Sequence, residues 1–471
     1  MVERSLKYVD ERLGTASLAR KTLRKVFPDH WSFLLGEIAL FALVVLVFTG
    51  TFLTFFYTPS VKEVVYQGPY TPLQGTEVSA AYNSVLRLSF EVRAGLLMRQ
   101  THHWAALVFV AAIVVHLCRV FFTGAFRRPR EVNWLIGILL LFLALGEGFT
   151  GYSLPDDLLS GIGLRIFYAV TLAIPVVGTW VTYLLFGGEF PAGDIISRLF
   201  VFHIMLLPAL LLGLVGAHMA ILVLQKHTQF PGHGRTERNV VGKRLWPEQT
   251  FKSVSLLLFT TAVLALLGGV AQINPIWQYG PFEPFNVTSP AQPDWYIGFL
   301  DGALRLGPPW DLTLFGFTIS EVFWPAVLFP GIAFGILTLW PWIERRFTKD
   351  RAEHHILDSP RDTPVRTGIG AAGLMVFFIM FLEGGNDIFG VLLNVSVETI
   401  TRILQWGILI APILTFLATY WICKGLSRTQ LRPAQINAGV RLSRTHDGGY
   451  ETVSLEPTAT DEEREPTRTG G

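Results

Sequence analysis

The sequence predicts an all-α, polytopic membrane protein with eight transmembrane helices, and three observations support this prediction. Of the 471 residues, 51% are hydrophobic and only 16% are charged, with a mean hydropathy of +0.44, whereas soluble domains carry about 25% charged residues. Eight apolar runs are each long enough to cross a bilayer, which takes about 20 residues. Lysine and arginine are concentrated in alternate connections between these runs. These patterns indicate a chain that lies mostly within a membrane.

The eight predicted spans contain few charges and follow one another along the whole chain. They fall at residues 32–57, 103–124, 132–153, 199–224, 253–272, 321–342, 366–384 and 403–423. The first run is too long for the apolar region of a signal peptide. Cys118 and Cys423 both lie in spans, so we expect neither a disulfide framework nor a thiolate metal site.

The distribution of basic residues predicts the orientation of the chain. With a cytoplasmic N-terminus, the inner connections include RKTLRK near the start and residues 125–133, 225–252 and 344–351, all rich in Lys and Arg. The outer connections include 272–320, with Arg305 as its only basic residue, and 385–401, with none. Because basic loops stay on the cytoplasmic side, we expect a plasma-membrane protein with both termini in the cytoplasm.

Two further segments are not predicted to span. The apolar run at 165–186 is interrupted by Pro175 and Gly178, and a span there would move every later basic loop outside. We expect two short helices across the outer surface. The polar tail ends in DEEREPTRTGG and carries too little apolar surface to fold alone.

Two predicted spans carry paired histidines. His102 and His116 are fourteen residues apart, which places them on one face of a helix and about 21 Å apart along its axis. His203 and His218 are fifteen residues apart, or about 22 Å. The two spans run parallel, so His102 should face His203 near the outer surface and His116 should face His218 near the inner one. His103 points about 100° away from His102 and is not expected to serve the same site.

Facing pairs of histidines suit haem iron, which takes one imidazole from each side of a flat macrocycle. Zinc needs three or four ligands, and we expect no Cys, Asp or Glu beside these histidines. A proton relay would also need carboxylates near the histidines, and we expect none there. The sequence contains no CxxCH, so we predict two non-covalent b-type haems.

Glycines on the first and third spans repeat the same interval. Gly36 and Gly50 are fourteen residues apart, as are Gly137 and Gly151. A glycine leaves room for a porphyrin edge to approach the backbone, although glycine is also a common packing residue in membrane helices. Two pairs at the histidine interval favour the haem interpretation and complete a four-helix bundle.

Two arginines lie close to the histidines of the second span. Arg99 precedes His102 by one turn, and Arg119 follows His116 by three residues. Each arginine can reach a haem propionate at its own end of the bundle. For Arg119 an equally good alternative is snorkelling of a long side chain to the membrane surface.

Together these residues resemble cytochrome b of the cytochrome bc complexes, the quinol–cytochrome c reductases. The resemblance rests on RxxH…HxxR in the second span, the paired glycines, GYSLPDD, HxxxxP in the fourth span and QPDWY at 292–296, and it covers roughly residues 20–425. The stretches KVFPDHWSFLLGE, GAFRRPRE, SLPDDLLSGIGLR and QKHTQFPG look most like the actinobacterial branch, whose quinol is usually menaquinol.

The resemblance implies a Q-cycle. Quinol is oxidised at an outer site, one electron goes to a Rieske iron–sulfur protein, and the other passes through the outer and inner haems to a quinone at an inner site. Protons leave on the outside and are taken up inside. The implied partners are the Rieske protein, a cytochrome c subunit, a second copy in a homodimeric complex, a terminal cytochrome c oxidase in a supercomplex, and membrane lipid. No nucleic acid is expected.

The resemblance also implies an outer quinol site around a Pro-Glu-Trp-Tyr motif whose carboxylate is a candidate proton acceptor. Here the motif reads Pro293-Asp294-Trp295-Tyr296, so its acid is one methylene shorter. Because an acceptor must come within hydrogen-bond reach of the quinol, Asp301, two helical turns further on, is the second candidate. By resemblance, the opposite wall of this site is formed by Tyr152, Asp156 and Asp157.

The inner quinone site is less specific in sequence. The candidates are Trp31, Ser32, His227 and Lys252. For Lys252 the alternative is an ordinary basic loop residue that obeys the positive-inside rule. The family carries an acid after this lysine, and here that position is Ser253. The sequence therefore leaves the proton donor of the inner site unassigned.

The predicted organisation has four parts: a cytoplasmic segment (1–30), a four-helix di-haem bundle (31–225), a second four-helix half with the PDWY loop (226–425) and a polar cytoplasmic tail (426–471). One alternative is a di-haem anchor of another quinone-linked oxidoreductase, against which QPDWY argues. Another is a transporter with histidines on its substrate path, which would show no visible haem absorbance. A purely structural subunit would not need four intramembrane imidazoles.

Overall fold

Helices account for most of the computed structural model, which describes residues 8, 10–12, 14–191, 193–286, 292–431, 440–444 and 450–454. In chain order the helices are α1 (Thr15–Leu23), α2 (Leu34–Thr54), α3 (Ala80–Phe90), α4 (Gly95–Phe122), α5 (Glu131–Tyr152), α6 (Leu158–Leu172), α7 (Gly178–Phe186), α8 (Ile195–Val201), α9 (Leu207–Gln225), α10 (Thr250–Val270), α11 (Ile276–Tyr279), α12 (Trp295–Leu306), α13 (Phe329–Thr348), α14 (Pro364–Gly384), α15 (Asn386–Leu393) and α16 (Val397–Leu431). The predicted all-α class is confirmed.

Strands occur only as short antiparallel ribbons in the described residues. The pairs are β1 (Val26–Phe27) with β4 (Lys243–Arg244), β2 (Glu63–Val65) with β3 (Glu77–Ser79), β5 (Leu312–Leu314) with β6 (Phe317–Ile319), and β7 (Val440–Arg444) with β8 (Tyr450–Ser454). Short 3₁₀ turns lie at Trp31–Phe33, Thr71–Leu73 and Pro360–Asp362, and π turns at Phe202–Leu206, Leu245–Gln249 and Trp324–Leu328.

Eight helical segments of the described chain are long and apolar enough to cross a membrane. They are Trp31–Thr54, Gly95–Phe122, Glu131–Tyr152, Ile195–Gln225, Leu245–Val270, Trp324–Thr348, Pro364–Gly384 and Val397–Ser427. Each overlaps one predicted span, so the prediction of eight spans is confirmed. The fourth is continuous because the π turn joins α8 to α9.

The ninth apolar run folds as two short helices, as predicted. Helix α6 ends at Leu172 and α7 begins at Gly178. Between them, Val176 adopts a φ of 67°, a left-handed conformation that a continuous helix does not contain. A Cβ on Gly178 would lie 2.5 Å from the carbonyl oxygen of Leu172, so only glycine fits this tight reversal.

Helix α4 lies at the centre of the membrane-spanning part. It packs against α2, α5 and α10, while α9 packs against α5. Small residues dominate the α2–α4 contact, among them Ala39, Ala42, Ala105 and Ala112, all of them buried. Small side chains let membrane helices approach closely. The histidine-bearing helices α4 and α9 therefore flank α5.

The second half packs on this bundle through α12, α13 and α14. Helix α12 contacts α4, α5 and α14, and α14 packs along α16. The indole nitrogen of Trp134 in α5 donates to the carbonyl of Leu337 in α13, at 3.0 Å. These contacts place the loop before α12 against the outer ends of α4 and α5.

The tail differs from its expectation in one respect. Composition predicts a tail that does not fold alone, yet its described residues include the ribbon of β7 and β8, and α16 runs to Leu431. Residues 432–439, 445–449 and 455–471 of the predicted tail lie outside the described residues, as do residues 1–7, 9 and 13 of the predicted N-terminal segment.

We predict that Gly302→Ala destabilises the protein, because a Cβ there would lie 1.7 Å from the carbonyl oxygen of Met380 in α14. Overpacking of this kind costs roughly 1–3 kcal/mol or more. The melting temperature of the purified protein in detergent should fall. Gly331→Ala is the matched control, since nothing lies within 4 Å of its added methyl. Equal melting temperatures for the two variants would contradict the packing described for α12 and α14.

Candidate haem and quinol sites

The structure brings His102 of α4 and His203 of the π turn together. Their ring centroids are 6.2 Å apart, and the ring planes are inclined by 75°. An imidazole binds a metal ion at about 2 Å, so two rings on opposite sides of one ion have centroids roughly 6 Å apart. This spacing fits two axial ligands of a single metal.

The polar partners of these two rings lie at Nδ1. Thr49 Oγ1 is 2.9 Å from Nδ1 of His102. For His203, Nδ1 is 3.1 Å from the carbonyl oxygen of Glu147 and 3.3 Å from Thr150 Oγ1. A metal-binding histidine uses its second nitrogen in this way, which fixes the orientation of the ring. Nε2 is then the nitrogen available to bind iron.

Glu147 corrects one expectation from the sequence. Its carboxylate Oε1 lies 3.2 Å from Nδ1 of His203, so the prediction that no acid lies beside the histidines is wrong. Glu147 precedes Gly151 by one helical turn, and both therefore share the face of α5 that meets His203. Even so, the described residues contain no group of three or more His, Cys, Asp or Glu side chains able to hold a metal ion, as zinc requires.

His116 and His218 lie at the inner end of the same helices, close enough to interact electrostatically. Both residues are half-buried. Helices α4 and α9 therefore present two stacked histidine pairs, one near each end of the bundle.

Each predicted glycine faces one predicted histidine. From an ideal Cβ to Cε1 of the facing ring, the distances are 3.3 Å for Gly36 and His116, 3.1 Å for Gly50 and His102, 3.9 Å for Gly137 and His218, and 2.4 Å for Gly151 and His203. The sequence argument assigned this room to the porphyrin edge, whereas here the imidazole rings occupy it. The glycines thus determine how closely the rings approach α2 and α5.

Arg99 and Arg119 have buried guanidinium nitrogens. Nη2 of Arg99 donates to the carbonyl of Asn274 at 2.6 Å, while Nη1 of Arg99 and both Nε and Nη2 of Arg119 are buried without a hydrogen-bond partner among the described residues. The guanidinium of Arg119 also lies 4.3 Å from the ring centre of Phe33. A buried cation without partners is costly, and a propionate would satisfy it. The donor set at both ends therefore fits haem.

Asp294 lies at the centre of the candidate outer site, and its main partner is His103. Nε2 of His103 lies 2.8 Å from Oδ1 and 2.9 Å from Oδ2 of Asp294, and the hydroxyl of Tyr296 donates to Oδ2 at 3.1 Å. The sequence argument excluded His103 from the haem site but did not find this contact. Its direction, about 100° from His102, was the signal that it faces another element, here the start of α12.

The rest of the PDWY motif is arranged around Asp294. Asp294 directly precedes α12, and Tyr296 is buried with its ring against α5: a Cβ on Gly148 would lie 2.5 Å from the Tyr296 hydroxyl oxygen. Trp295 is 37% exposed, so it borders the site, and Pro293 lies in the segment before the helix. The motif therefore joins α4, α5 and α12 at one point.

Asp301 lies on α12 in a different electrostatic setting. Its carboxylate forms an ion pair with Nη2 of Arg305 at 2.8 Å, and Arg305 also bonds to Asn386. Burial raises the pKa of Asp301, and Arg305 opposes this rise. Asp294 instead bonds to an imidazole and a hydroxyl. Of the two carboxylates, only that of Asp301 is therefore held in an ion pair with an arginine of the described residues.

The opposite wall contains Tyr152, whose hydroxyl donates to the carbonyl of Leu159 at 3.2 Å. Asp157 is buried and caps α6, accepting from the backbone N–H of Leu159 at 3.2 Å. Burial raises the pKa of Asp156 to about 6. Asp157 thus has a structural task as a helix cap, while Tyr152 is close enough to Asp294 and Asp301 to interact with both.

Two of the inner candidates, His227 and Ser32, are buried. The ring of His227 is buried 4.3 Å from that of Phe27, and burial, with Lys25 and Arg130 nearby, lowers the pKa of His227 to about 4. Ser32 is buried, with Oγ 2.9 Å from Nδ1 of His30.

Trp31 and Lys252 are placed less favourably. Trp31 is 69% exposed. Nζ of Lys252 pairs with Asp29 at 2.6 Å, with both side chains partly exposed. The ammonium group of Lys252 is therefore paired with a carboxylate near the surface.

Glu37 is an inner-end acid that the sequence argument did not identify. Its Oε2 accepts from Ser253 Oγ at 2.8 Å, and its Oε1 accepts from Gln249 Nε2 at 3.0 Å. Its position directly after Gly36 was the available signal, since an acid inside a membrane span is usually functional.

Comparisons with known proteins agree with the motifs. The sequence profile of the family described as cytochrome b (N-terminal)/b6/petB matches residues 107–281. The chain is 50% identical over 421 residues to the cytochrome bc1 complex cytochrome b subunit of Corynebacterium diphtheriae, covering 89% of this chain and 78% of that one. It is 50% identical over 430 residues to the subunit of the same name from Mycobacterium tuberculosis, covering 91% and 78%.

A solved structure supports the fold. A chain of a hyperthermophilic respiratory Complex III superposes with a TM-score of 0.66 at 18% identity, covering 89% of this chain and 100% of that one. At this identity the likeness concerns the fold alone.

We predict that Gly151→Ala displaces His203, because the added Cβ would lie 2.4 Å from Cε1 of its ring. Haem content should fall from two towards one per chain, or the α-band of the reduced-minus-oxidised spectrum should shift. Gly146→Ala in the same helix is the matched control, since nothing lies within 4 Å of its added methyl, and it should leave the spectrum unchanged. Identical spectra for both variants and the wild type would contradict the assignment of Gly151.

Proposed function

Because this chain belongs to the family of cytochrome b subunits of cytochrome bc1 complexes, we propose that it oxidises menaquinol at the outer site, passes electrons through two b haems to a quinone at the inner site and translocates protons by a Q-cycle. Family membership confirms the resemblance to the actinobacterial branch. The chain is the membrane subunit of a respiratory quinol–cytochrome c reductase. The observation that best supports the detailed proposal is the pair of imidazoles at 6.2 Å.

Each haem is proposed to lie between two histidines of α4 and the α8–α9 span. His102 and His203 would hold the outer iron, and His116 and His218 the inner one. When bound, haem supplies one-electron carriers between the two quinone sites. Thr49 and the carbonyl of Glu147 fix the ring orientation of the outer ligands.

The surrounding residues complete the proposed haem sites. The four facing glycines leave room for the rings, and the unpartnered nitrogens of Arg99 and Arg119 would neutralise propionates. The sequence-based division into a di-haem bundle at 31–225 and a second half at 226–425 follows from this assignment.

At the outer site, Asp294 is proposed to accept a proton from quinol. A general base must come within hydrogen-bond reach of the proton that it removes. His103 and Tyr296 hold the carboxylate from two sides, which fixes where it points. Asp301 is tied to Arg305 and is the second candidate. Tyr152 stands on the other side of the site.

The remaining assignments concern the assembly. As subunits of the bc1 complex, a Rieske iron–sulfur protein and a cytochrome c are partners of this chain. We propose that the complex is a homodimer in the plasma membrane, that it joins a terminal oxidase in a supercomplex, and that both termini lie in the cytoplasm. The basic inner loops support the orientation. Menaquinol is supported by the actinobacterial relatives.

We predict that Asp294→Asn lowers quinol–cytochrome c reductase turnover at least tenfold while both haems are retained. The amide keeps the shape of the side chain but cannot accept a proton as a carboxylate does, and general-base catalysis contributes about 10²- to 10⁴-fold. Turnover of the purified complex with a menaquinol analogue is the measurement.

Asp311→Asn is the matched control for this experiment, because Asp311 lies in an exposed outer loop and bonds only to the backbone N–H of Glu321 among the described residues. Its turnover should remain unchanged. Normal turnover in Asp294→Asn together with a large loss in Asp301→Asn would transfer the proton-acceptor role to Asp301.

A further inference from the structure

We propose that Glu37 passes protons from the inner aqueous side to the quinone that is reduced at the inner site, with Ser253 as its hydrogen-bonded neighbour. The inference rests on the proposed function, because it assumes that quinone is reduced at this end of the bundle. It assigns the proton donor that the sequence left open.

The first support is the hydrogen bonding of the carboxylate. Glu37 lies in the first turn of α2 and is half-buried. Ser253 and Gln249, which donate to its two oxygens, come from α10 and the π turn before it. Gln249 is itself buried. The acid is therefore held at a helix–helix contact inside the first predicted span. A carboxylate is energetically costly there, and such residues usually mark a functional site.

The second support is the absence of a cation. Within the described residues, Glu37 has no Lys, Arg or His partner at ion-pair distance, whereas Asp29 binds both Lys243 and Lys252. At this end of the bundle, the charged groups on the elements packed against α2 are Arg119 of α4, Glu248 of the π turn and Lys252 of α10. A carboxyl group held by neutral donors can gain or lose a proton without breaking an ion pair, which a buried pair resists.

The third support is the position of Glu37. Its neighbour Gly36 lies against the ring of His116, which places Glu37 at the same depth as the inner histidine pair. The segments that carry the inner quinone candidates meet at the same end: the rings of His30 and Phe230 pack with their centroids 4.4 Å apart, and β1 pairs with β4, which directly precedes the π turn that ends at Gln249.

Reduction of one quinone to quinol consumes two electrons, delivered through the chain's electron path, and two protons. Glu37, as a neutral carboxylic acid, gives one proton to a quinone oxygen and becomes a carboxylate. It is then reprotonated from the inner aqueous phase, and Ser253 can rotate its hydroxyl to stay bonded in either state. Repeating this transfer supplies the second proton.

A purely structural function is the alternative, in which Glu37 only ties α2 to α10. Glu37→Gln separates the two, because the amide can still accept from Ser253 but has no acidic proton to give. With the outer site blocked by an inhibitor, the pre-reduced complex is mixed with a menaquinone analogue, and haem reoxidation is followed by stopped-flow absorbance.

The proposal predicts reoxidation at least tenfold slower in Glu37→Gln than in the wild type, with unchanged haem content and an unchanged rate of haem reduction through the unblocked outer site. Glu37→Asp keeps an acid and should be slowed less than Glu37→Gln. Glu248→Gln is the matched control, since this exposed carboxylate lies next to Gln249 in the π turn. The rate of haem reoxidation in this variant should equal that of the wild type.

Wild-type reoxidation in Glu37→Gln would overturn the proposal, as would equal slowing in the Asp and Gln variants with both haems retained. If Glu37→Gln fails to retain haem, Ser253→Ala decides: slowing of about threefold supports the proposal, and an unchanged rate overturns it. If the wild type itself shows no quinone-dependent reoxidation, the proposed function fails, independently of Glu37.

Discussion

The close approach of imidazole rings to glycine backbone is the constraint on which the rest of the bundle depends. A side chain at Gly151 would meet the His203 ring at 2.4 Å, and one at Gly50 would meet the His102 ring at 3.1 Å. The rings can therefore lie inside the bundle only because two flanking helices lack side chains at those levels. Once α2 and α5 are held at this distance, α4 and the α8–α9 span can present neighbouring imidazole rings, and α10, α12 and α13 have a defined surface on which to pack.

Two of the acids within or beside the membrane, Asp294 and Glu37, share one feature, which is that no Lys or Arg side chain of the described residues pairs with them. Asp294 is held by an imidazole and a phenol, and Glu37 by a hydroxyl and an amide. None of these partners is a permanent cation, so within the described part of the chain neither carboxyl is held in an ion pair with Lys or Arg. Asp301, by contrast, is paired with Arg305. The two ends of the bundle thus hold an acid in similar ways, as the proposed release of protons at one end and uptake at the other would require.

Much of this arrangement follows from periodicity along single helices. The intervals between His102 and His116 and between Gly36 and Gly50 depend only on helical geometry, and the eight spans depend on hydropathy and basic loops. Contacts between distant segments could not be predicted in the same way. His103 meets Asp294 across 191 residues, and Ser253 meets Glu37 across 216. Such contacts depend on helix rotation and packing, which a single sequence does not contain. Glu147 was missed for a related reason. Its carboxylate reaches His203 only because of the rotation of α5 about its own axis, which the sequence alone does not give.

The central claim is that the two histidine pairs hold two haems, and its most direct test is a dithionite-reduced minus oxidised spectrum of the purified chain, with haem counted per polypeptide. The account predicts b-type absorbance and two haems per chain. A chain that folds normally but binds no haem would contradict it and would leave without an explanation the paired imidazoles and the buried guanidinium nitrogens of Arg99 and Arg119 that lack hydrogen-bond partners in the described structure.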